Sequence, residues 1–203
     1  MTRLNRRRIT ASIIVVLIIG SIVGVLLFRS HQPTANTTAG DNDPPLLEPS
    51  KSSTDMVDKS EGYIANNSPV DPFDMDHPAL AKLNPILLDA IQRAARDAAV
   101  DGVKMYVTAG WRSAAYQQKL LDEATKSYGS LREARKFVST PEDSHHVSGD
   151  AVDISPTDAN SWLSQYGSKY GLCQTYANEM WHFELATSAG GTCPAPKTDA
   201  SNS

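Results

Sequence analysis

With 203 residues the chain has room for one folded domain plus extensions. Its 19 Lys+Arg against 23 Asp+Glu give a net charge of -4 and no basic stripe, which excludes nucleic acid as a main partner. Only two cysteines occur, so a four-cysteine zinc site is impossible; Cys173 and Cys193 lie close together and fit one disulfide in an oxidising compartment.

The N-terminus carries Arg3, Arg6, Arg7 and Arg8 without an acid, and an uninterrupted apolar run follows over residues 13–28. With its flanks this run approaches the ~20 residues that cross ~30 Å of hydrocarbon. The arginines predict a cytoplasmic tail over 1–11, a single-pass transmembrane anchor over 12–28, and an extracytoplasmic location for everything after it. A cleaved signal peptide is the competing reading. The run ends at Phe28 and Arg29 with no small-x-small site, which favours an uncleaved anchor in the cell membrane. No cysteine directly follows the run, which argues against a lipoprotein. Residues 29–69 are rich in Pro, Thr, Ser, Asn and Asp and bury too little apolar surface to order themselves. They predict a flexible extracytoplasmic linker that holds a domain away from the membrane.

The folded domain is expected over 70–195. Asn84 and Pro85 form a helix start, with asparagine as cap and proline in the first turn. Ile86, Leu87, Ile91, Ala94, Ala95 and Ala98 follow at helical spacing, and Asp101-Gly102 ends the helix. Residues 103–107 alternate and are rich in valine, which predicts a strand. A second helix is expected over 114–126, and Tyr128-Gly129 breaks it. Ser130 caps a third helix to Val138, and a loop over 140–143 leads to a histidine- and glycine-rich stretch. A strand around 151–154, a helix from Asp158 to about Tyr170, and strands near 172–176 and 181–185 complete the domain. Residues 196–203 are expected to form a disordered tail. This order of short elements predicts an α+β domain with a central antiparallel sheet and flanking helices.

Two stretches carry residues able to do chemistry. In the first, His146 and Asp153 stand on either side of Gly149 and the small Ala151. Glycine lets the chain fold back so that both side chains reach one point. In a strand, Asp153 lies between the core-facing Val152 and Ile154 and needs a partner, since a bare buried carboxylate is costly. A metal, an arginine or backbone amides would each serve. In the second stretch, Trp181 and Phe183 share one strand face while His182 and Glu184 share the other. Glu179 and Glu184 both lie near His182, and spacing leaves open which is a base and which a partner of the ring. Catalytic zinc takes three protein ligands, an open position for water and a nearby base.

At these residues the chain resembles a known family. Ser144, His146, Gly149, Ala151 and Asp153 match S-x-H-x-x-G-x-A-x-D, and residues 179–182 match E-x-W-H. Gly110, Trp111, Arg112 and Ser113, followed by Tyr116 and Gln117, match G-[YW]-R-S…Y-Q. The three motifs occur in the order found in VanY-type D-alanyl-D-alanine carboxypeptidases, a group of zinc peptidases, and the resemblance covers roughly residues 78–185.

The resemblance implies that His146, Asp153 and His182 bind Zn2+. It implies that Glu179 is the general base and that Arg112 stabilises the developing oxyanion. Gln117 and Ser144 fall at substrate-contacting positions. The implied substrates are peptidoglycan stem peptides ending in D-Ala-D-Ala, with loss of the terminal D-alanine. A related endopeptidase or D,D-dipeptidase is the alternative, and a non-catalytic wall-binding module is a third reading. Glu184 departs from the pattern, since many relatives carry a basic residue there. The register of the motif selects His146 and leaves His145 as a loop residue.

Overall fold

The structure, a computed structural model, describes residues 58–202. The expected cytoplasmic tail, the anchor over 12–28 and most of the linker lie outside the described residues. Within those residues, no helix is long and apolar enough to cross a membrane.

Six α-helices and four strands are described. They are α1 (Pro78–Ala81), α2 (Pro85–Val100), β1 (Tyr106–Ala109), α3 (Ala114–Tyr128), α4 (Leu131–Ala134), α5 (His145–Ser148), β2 (Ala151–Ser155), α6 (Thr157–Tyr166), β3 (Leu172–Gln174) and β4 (His182–Leu185). The strands form one sheet in the order β1-β2-β4-β3, antiparallel at every pairing. The expected α+β class with a central antiparallel sheet is what the chain adopts.

Helix α2 supplies a long buried stripe to the core that also takes in the sheet. The Asn84 side chain accepts from the Ile86 N–H, so the asparagine caps the helix as its sequence predicts. Leu87, Ala90, Ile91, Ala94 and Ala98 form its buried stripe. They join Val107, Val152, Ile154, Leu163 and Phe183 in one apolar core. A smaller cluster of Leu121, Ala124 and Ala134 packs α3 against α4, with Val138 against it.

Several element boundaries differ from expectation, each for a local reason. The strand expected over 103–107 begins at Tyr106 and continues to Ala109. Its limits follow β2, where Tyr106 faces Ser155 and Ala109 faces Asp153. Val103 instead donates its N–H to Ala98 O at 2.9 Å, which closes the end of α2. The third helix ends at Ala134 rather than Val138, and a 3-10 turn over Gly167–Tyr170 follows α6. The folded unit also starts earlier than residue 70. A 3-10 turn at Lys59–Glu61 precedes Ile64, which is buried. Val70 exchanges two backbone hydrogen bonds with Val107, at 2.9 and 2.8 Å, along the outer side of β1.

The stretch expected as a disordered tail over 196–203 is the largest correction. The Lys197 N–H donates to Thr175 O at 2.9 Å, and Lys197 O accepts from the Ala177 N–H at 2.8 Å. Ala200 is only 3% exposed. These bonds use backbone groups alone, so a composition rich in Ser, Thr and Pro gives no sign of them.

Cys173, on β3, is joined to Cys193 across 20 residues of sequence. The closed loop contains β4 and the turn before it. In the chain-entropy account such a loop contributes about 3 kcal/mol. Reduction is therefore expected to lower the unfolding free energy of the folded domain by about that amount. Denaturant melts with and without reductant measure the change, and identical midpoints would contradict the loop-closure account.

Candidate metal centre

The site is assembled by register. Strands β2 and β4 pair so that Asp153 stands directly opposite His182. Opposite residues of an antiparallel pair lie on the same face with their Cβ atoms close. His182 Nδ1 accordingly comes within 3.1 Å of Asp153 Oδ1. Both residues are buried.

His146 arrives from a different element. The histidine and glycine stretch forms the short helix α5 rather than a loop, and Gly149 ends it with φ +82. A side chain at Gly149 would be strained by that φ, and its Cβ would meet Lys82 O at 2.7 Å. The turn is fixed to the start of α2 by two bonds: Asn84 N–H donates to Gly149 O at 2.9 Å, and Asn84 Nδ2 donates to Asp150 Oδ1 at 2.9 Å. On the other side, α5 is clasped by the segment that follows β1. His146 Nδ1–H donates to Gly110 O at 2.8 Å, while the Arg112 N–H donates to His146 O at 3.0 Å. Gly110 packs so tightly that a Cβ there would lie 2.2 Å from Ala79 O. The Nδ1 bond leaves the His146 Nε2 lone pair facing Asp153 Oδ1 at 3.4 Å.

His146, Asp153 and His182 thus bring one donor atom each within 4.8 Å of one another, and all three residues are buried. Tetrahedral ligands at zinc-like bond lengths lie roughly 3.3–3.6 Å apart. The 3.1 and 3.4 Å contacts of Asp153 fit that spacing closely, and two imidazoles with one carboxylate suit zinc chemically.

The remaining predicted residues line the same cleft, which has a volume of about 250 Å³. Glu179 Oε2 is 3.8 Å from His182 Nδ1, and its Oε1 is buried without a hydrogen-bond partner. Burial, reinforced by Asp153 and Glu184 and opposed by His182 and Arg112, pushes the Glu179 carboxyl up to about 7. Arg112 spans two partners, with NH2 on Asp153 Oδ2 at 3.1 Å and NH1 on Gln117 Oε1 at 3.2 Å. Gln117 is fully buried and donates to Ser139 O at 2.9 Å. Ser144 is buried in the cleft wall and makes no side-chain cap of α5.

The place of Glu184, open between base and ring partner in the sequence, is resolved by its contacts. Its Oε1 accepts from His182 Nε2–H at 2.8 Å, and its Oε2 lies 2.6 Å from His145 Nδ1. His145 therefore does more than fill a loop: it holds the carboxylate that holds the ring. Sequence reasoning missed this contact because it spans 39 positions between two elements. Burial disfavours the Glu184 anion, but its bonds to His145 and His182 outweigh that and lower its pKa to about 2. For His182, burial lowers and the bonds to Asp153 and Glu184 raise, and the outcome is about 9. His146 is lowered to about 4 by burial and by Arg112. Asp153 stays well below the usual carboxylate range, because His146 and His182 outweigh its burial.

Fold and site together define a class: a small α+β domain built around a mixed histidine and carboxylate cation site, with a buried glutamate beside it that keeps one oxygen unsatisfied. The chain belongs to the VanY family, described as D-alanyl-D-alanine carboxypeptidase, whose pattern matches residues 80–188. A D-alanyl-D-alanine carboxypeptidase of Enterococcus faecalis (strain ATCC 700802 / V583) is 31% identical over 127 residues, which is 50% of this chain and 46% of that protein. The chain thus spans about half the length of that curated relative. Among solved structures, VanYB in complex with D-alanine-D-alanine is similar at 24% identity and a TM-score of 0.48, over 50% of this chain and 70% of that one. The vancomycin resistance D,D-pentapeptidase VanY from a VanB-type resistance cassette, solved as a mutant in complex with Zn(II), is similar at 21% identity and a TM-score of 0.47, over 63% of this chain and 88% of that one.

Two outcomes are expected from this geometry. Glu184→Ala frees the His182 ring and should weaken zinc binding about 10–100-fold, as read by competition with a chromophoric chelator. A ligand nitrogen must be deprotonated, so zinc binding at about pH 8 should release a proton from His182, whose pKa is raised. Calorimetry in buffers of different ionisation enthalpy detects that proton; an apparent enthalpy independent of buffer would contradict it.

Proposed function

We propose that the chain is a zinc-dependent D,D-carboxypeptidase that removes the terminal D-alanine from peptidoglycan stem peptides. The observation that carries this reading is the buried Glu179 oxygen without a partner, set beside three converging donors. A protein that only binds wall peptides has no use for a desolvated carboxylate with an unsatisfied oxygen there. Family membership and the relative from Enterococcus faecalis support D-Ala-D-Ala as the substrate class.

His146, Asp153 and His182 would hold the cation. Zinc in such a set supplies Lewis acidity, polarising a carbonyl and lowering the pKa of water. Glu179 accepts the proton of the attacking water and passes it to the departing D-alanine amine. Its raised pKa suits both halves of that transfer, because a base near neutrality gives up a proton as readily as it takes one. Arg112 presents fixed positive charge where the carbonyl oxygen gains negative charge. Its bond to Asp153 and its bond to Gln117 hold the guanidinium in place before substrate arrives. Gln117 and Ser144 contact the peptide from the cleft wall. No side chain forms a covalent acyl intermediate.

We further propose that the domain is extracytoplasmic and tethered by a single-pass membrane anchor. The apolar run over 12–28 and the arginines before it support that orientation, and the Cys173–Cys193 bond suits an oxidising compartment.

D-alanine release from a pentapeptide ending in D-Ala-D-Ala tests the reading. Glu179→Ala should lower kcat by about 10²–10⁴-fold while zinc content stays intact. Chelation should abolish release, and added zinc should restore it. Release that survives in Glu179→Ala would remove the glutamate from its proposed role. New cuts inside cross-linked wall fragments without D-alanine release would mark an endopeptidase instead.

A further inference from the structure

Part of the cleft lining comes from the segment after the last strand rather than from the sheet or the six α-helices. Ala200 lines the cleft together with Leu120, Phe137, Val138 and Tyr176. The segment bearing Ala200 is held at three places. Its near end is joined to β3 by the Cys173–Cys193 bond. Its middle pairs with the stretch before Glu179, through the Lys197 bonds to Thr175 O and from the Ala177 N–H. At its far end, the Ala200 N–H donates to Lys136 O at 3.3 Å. That same Lys136 oxygen accepts from Asn178 Nδ2 at 2.9 Å, so the segment and the residue beside Glu179 share one anchor. Leu120, Phe137, Val138 and Ala200 give this cleft an apolar part of its lining, beside the polar part that carries Arg112, Gln117, His146, Asp153 and His182.

We propose that residues 194–202 are a built-in wall of the substrate cleft, and that Ala200 sets the size of the substrate side chain accepted next to the reacting bond. This rests on the peptidase reading above. A methyl-sized residue at the wall leaves room for another methyl-sized group, such as the side chain of D-alanine, while bulkier D-residues meet the Ala200 backbone and Phe137. One added group in an apolar pocket changes discrimination by roughly 10–200-fold. The position is therefore a specificity determinant that touches no reacting atom.

The test uses the full chain loaded with zinc, and peptides ending in D-alanine or in D-leucine. Ala200→Leu should raise KM for the D-alanine peptide about 10-fold or more with little change in kcat. A chain ending at Ala195, which keeps the disulfide, should improve its kcat/KM for the D-leucine peptide relative to the D-alanine peptide by about 10-fold or more. Should the shortened chain fail to fold, Ala200→Leu decides alone, with its thermal melt as the folding control. Binding of D-alanyl-D-alanine itself is measured by calorimetry in the Glu179→Ala background, with and without Ala200→Leu. Weaker binding caused by Ala200→Leu supports the wall even if the wild type releases no D-alanine, an outcome that would sink only the peptidase reading. Unchanged KM, unchanged selectivity and unchanged dipeptide binding in a folded Ala200→Leu protein would overturn the wall.

Discussion

Asp153 is a carboxylate buried in the middle strand pair, and nitrogens of three side chains converge on its carboxylate oxygens. His146 and His182 approach Oδ1, and Arg112 takes Oδ2. A buried anion persists only when such partners surround it, because desolvation otherwise drives it to protonate. The pairing of β2 with β4 sets the His182 contact, the clasp of Gly110 and Arg112 on α5 sets the His146 contact, and Gly149 lets the chain reach both. A one-residue slip of β4 would turn His182 to the opposite face of the sheet and dismantle the site. The helices and the apolar core serve chiefly to hold that register.

The electrostatics follow from this arrangement. One face of His182 meets Asp153 and the other nitrogen meets Glu184, so the ring is protonated when only protein groups surround it. Glu184 in turn is braced by His145. Such a chain of fixed groups orients the ring before any cation arrives, which limits the reorganisation that binding requires. Glu179 differs from its neighbours in having only the 3.8 Å contact with His182 and an oxygen that nothing satisfies. Two glutamates beside the same ring are thereby driven in opposite directions: Glu184 is held ionised, and Glu179 is poised near neutrality.

Strand alternation and a glycine turn made His146, Asp153, His182 and a nearby glutamate legible in the sequence, while the resemblance to VanY-type motifs supplied the ligand set and the roles of Glu179, Arg112, Gln117 and Ser144. His146, Asp153, His182, Glu179, Arg112, Gln117 and Ser144 all border the one cleft. The capping of α2 by Asn84 and the antiparallel sheet were likewise readable from local patterns. The contact between His145 and Glu184 was not, because it joins α5 to β4 across 39 positions of sequence. The ordered segment around Lys197 and Ala200 was hidden for another reason: backbone pairing holds it, and backbone groups are the same in every sequence. Strand limits shifted where a partner strand, rather than propensity, decided which residues pair.

The pairing of Val70 with Val107 also shields the outer margin of the four-stranded sheet. An exposed margin offers unsatisfied amides and carbonyls that a neighbouring copy can extend. With the β1 side occupied by the chain's own earlier residues, that route to edge-to-edge aggregation is narrowed. The folded domain can then reach high local density with less risk that one molecule templates the next.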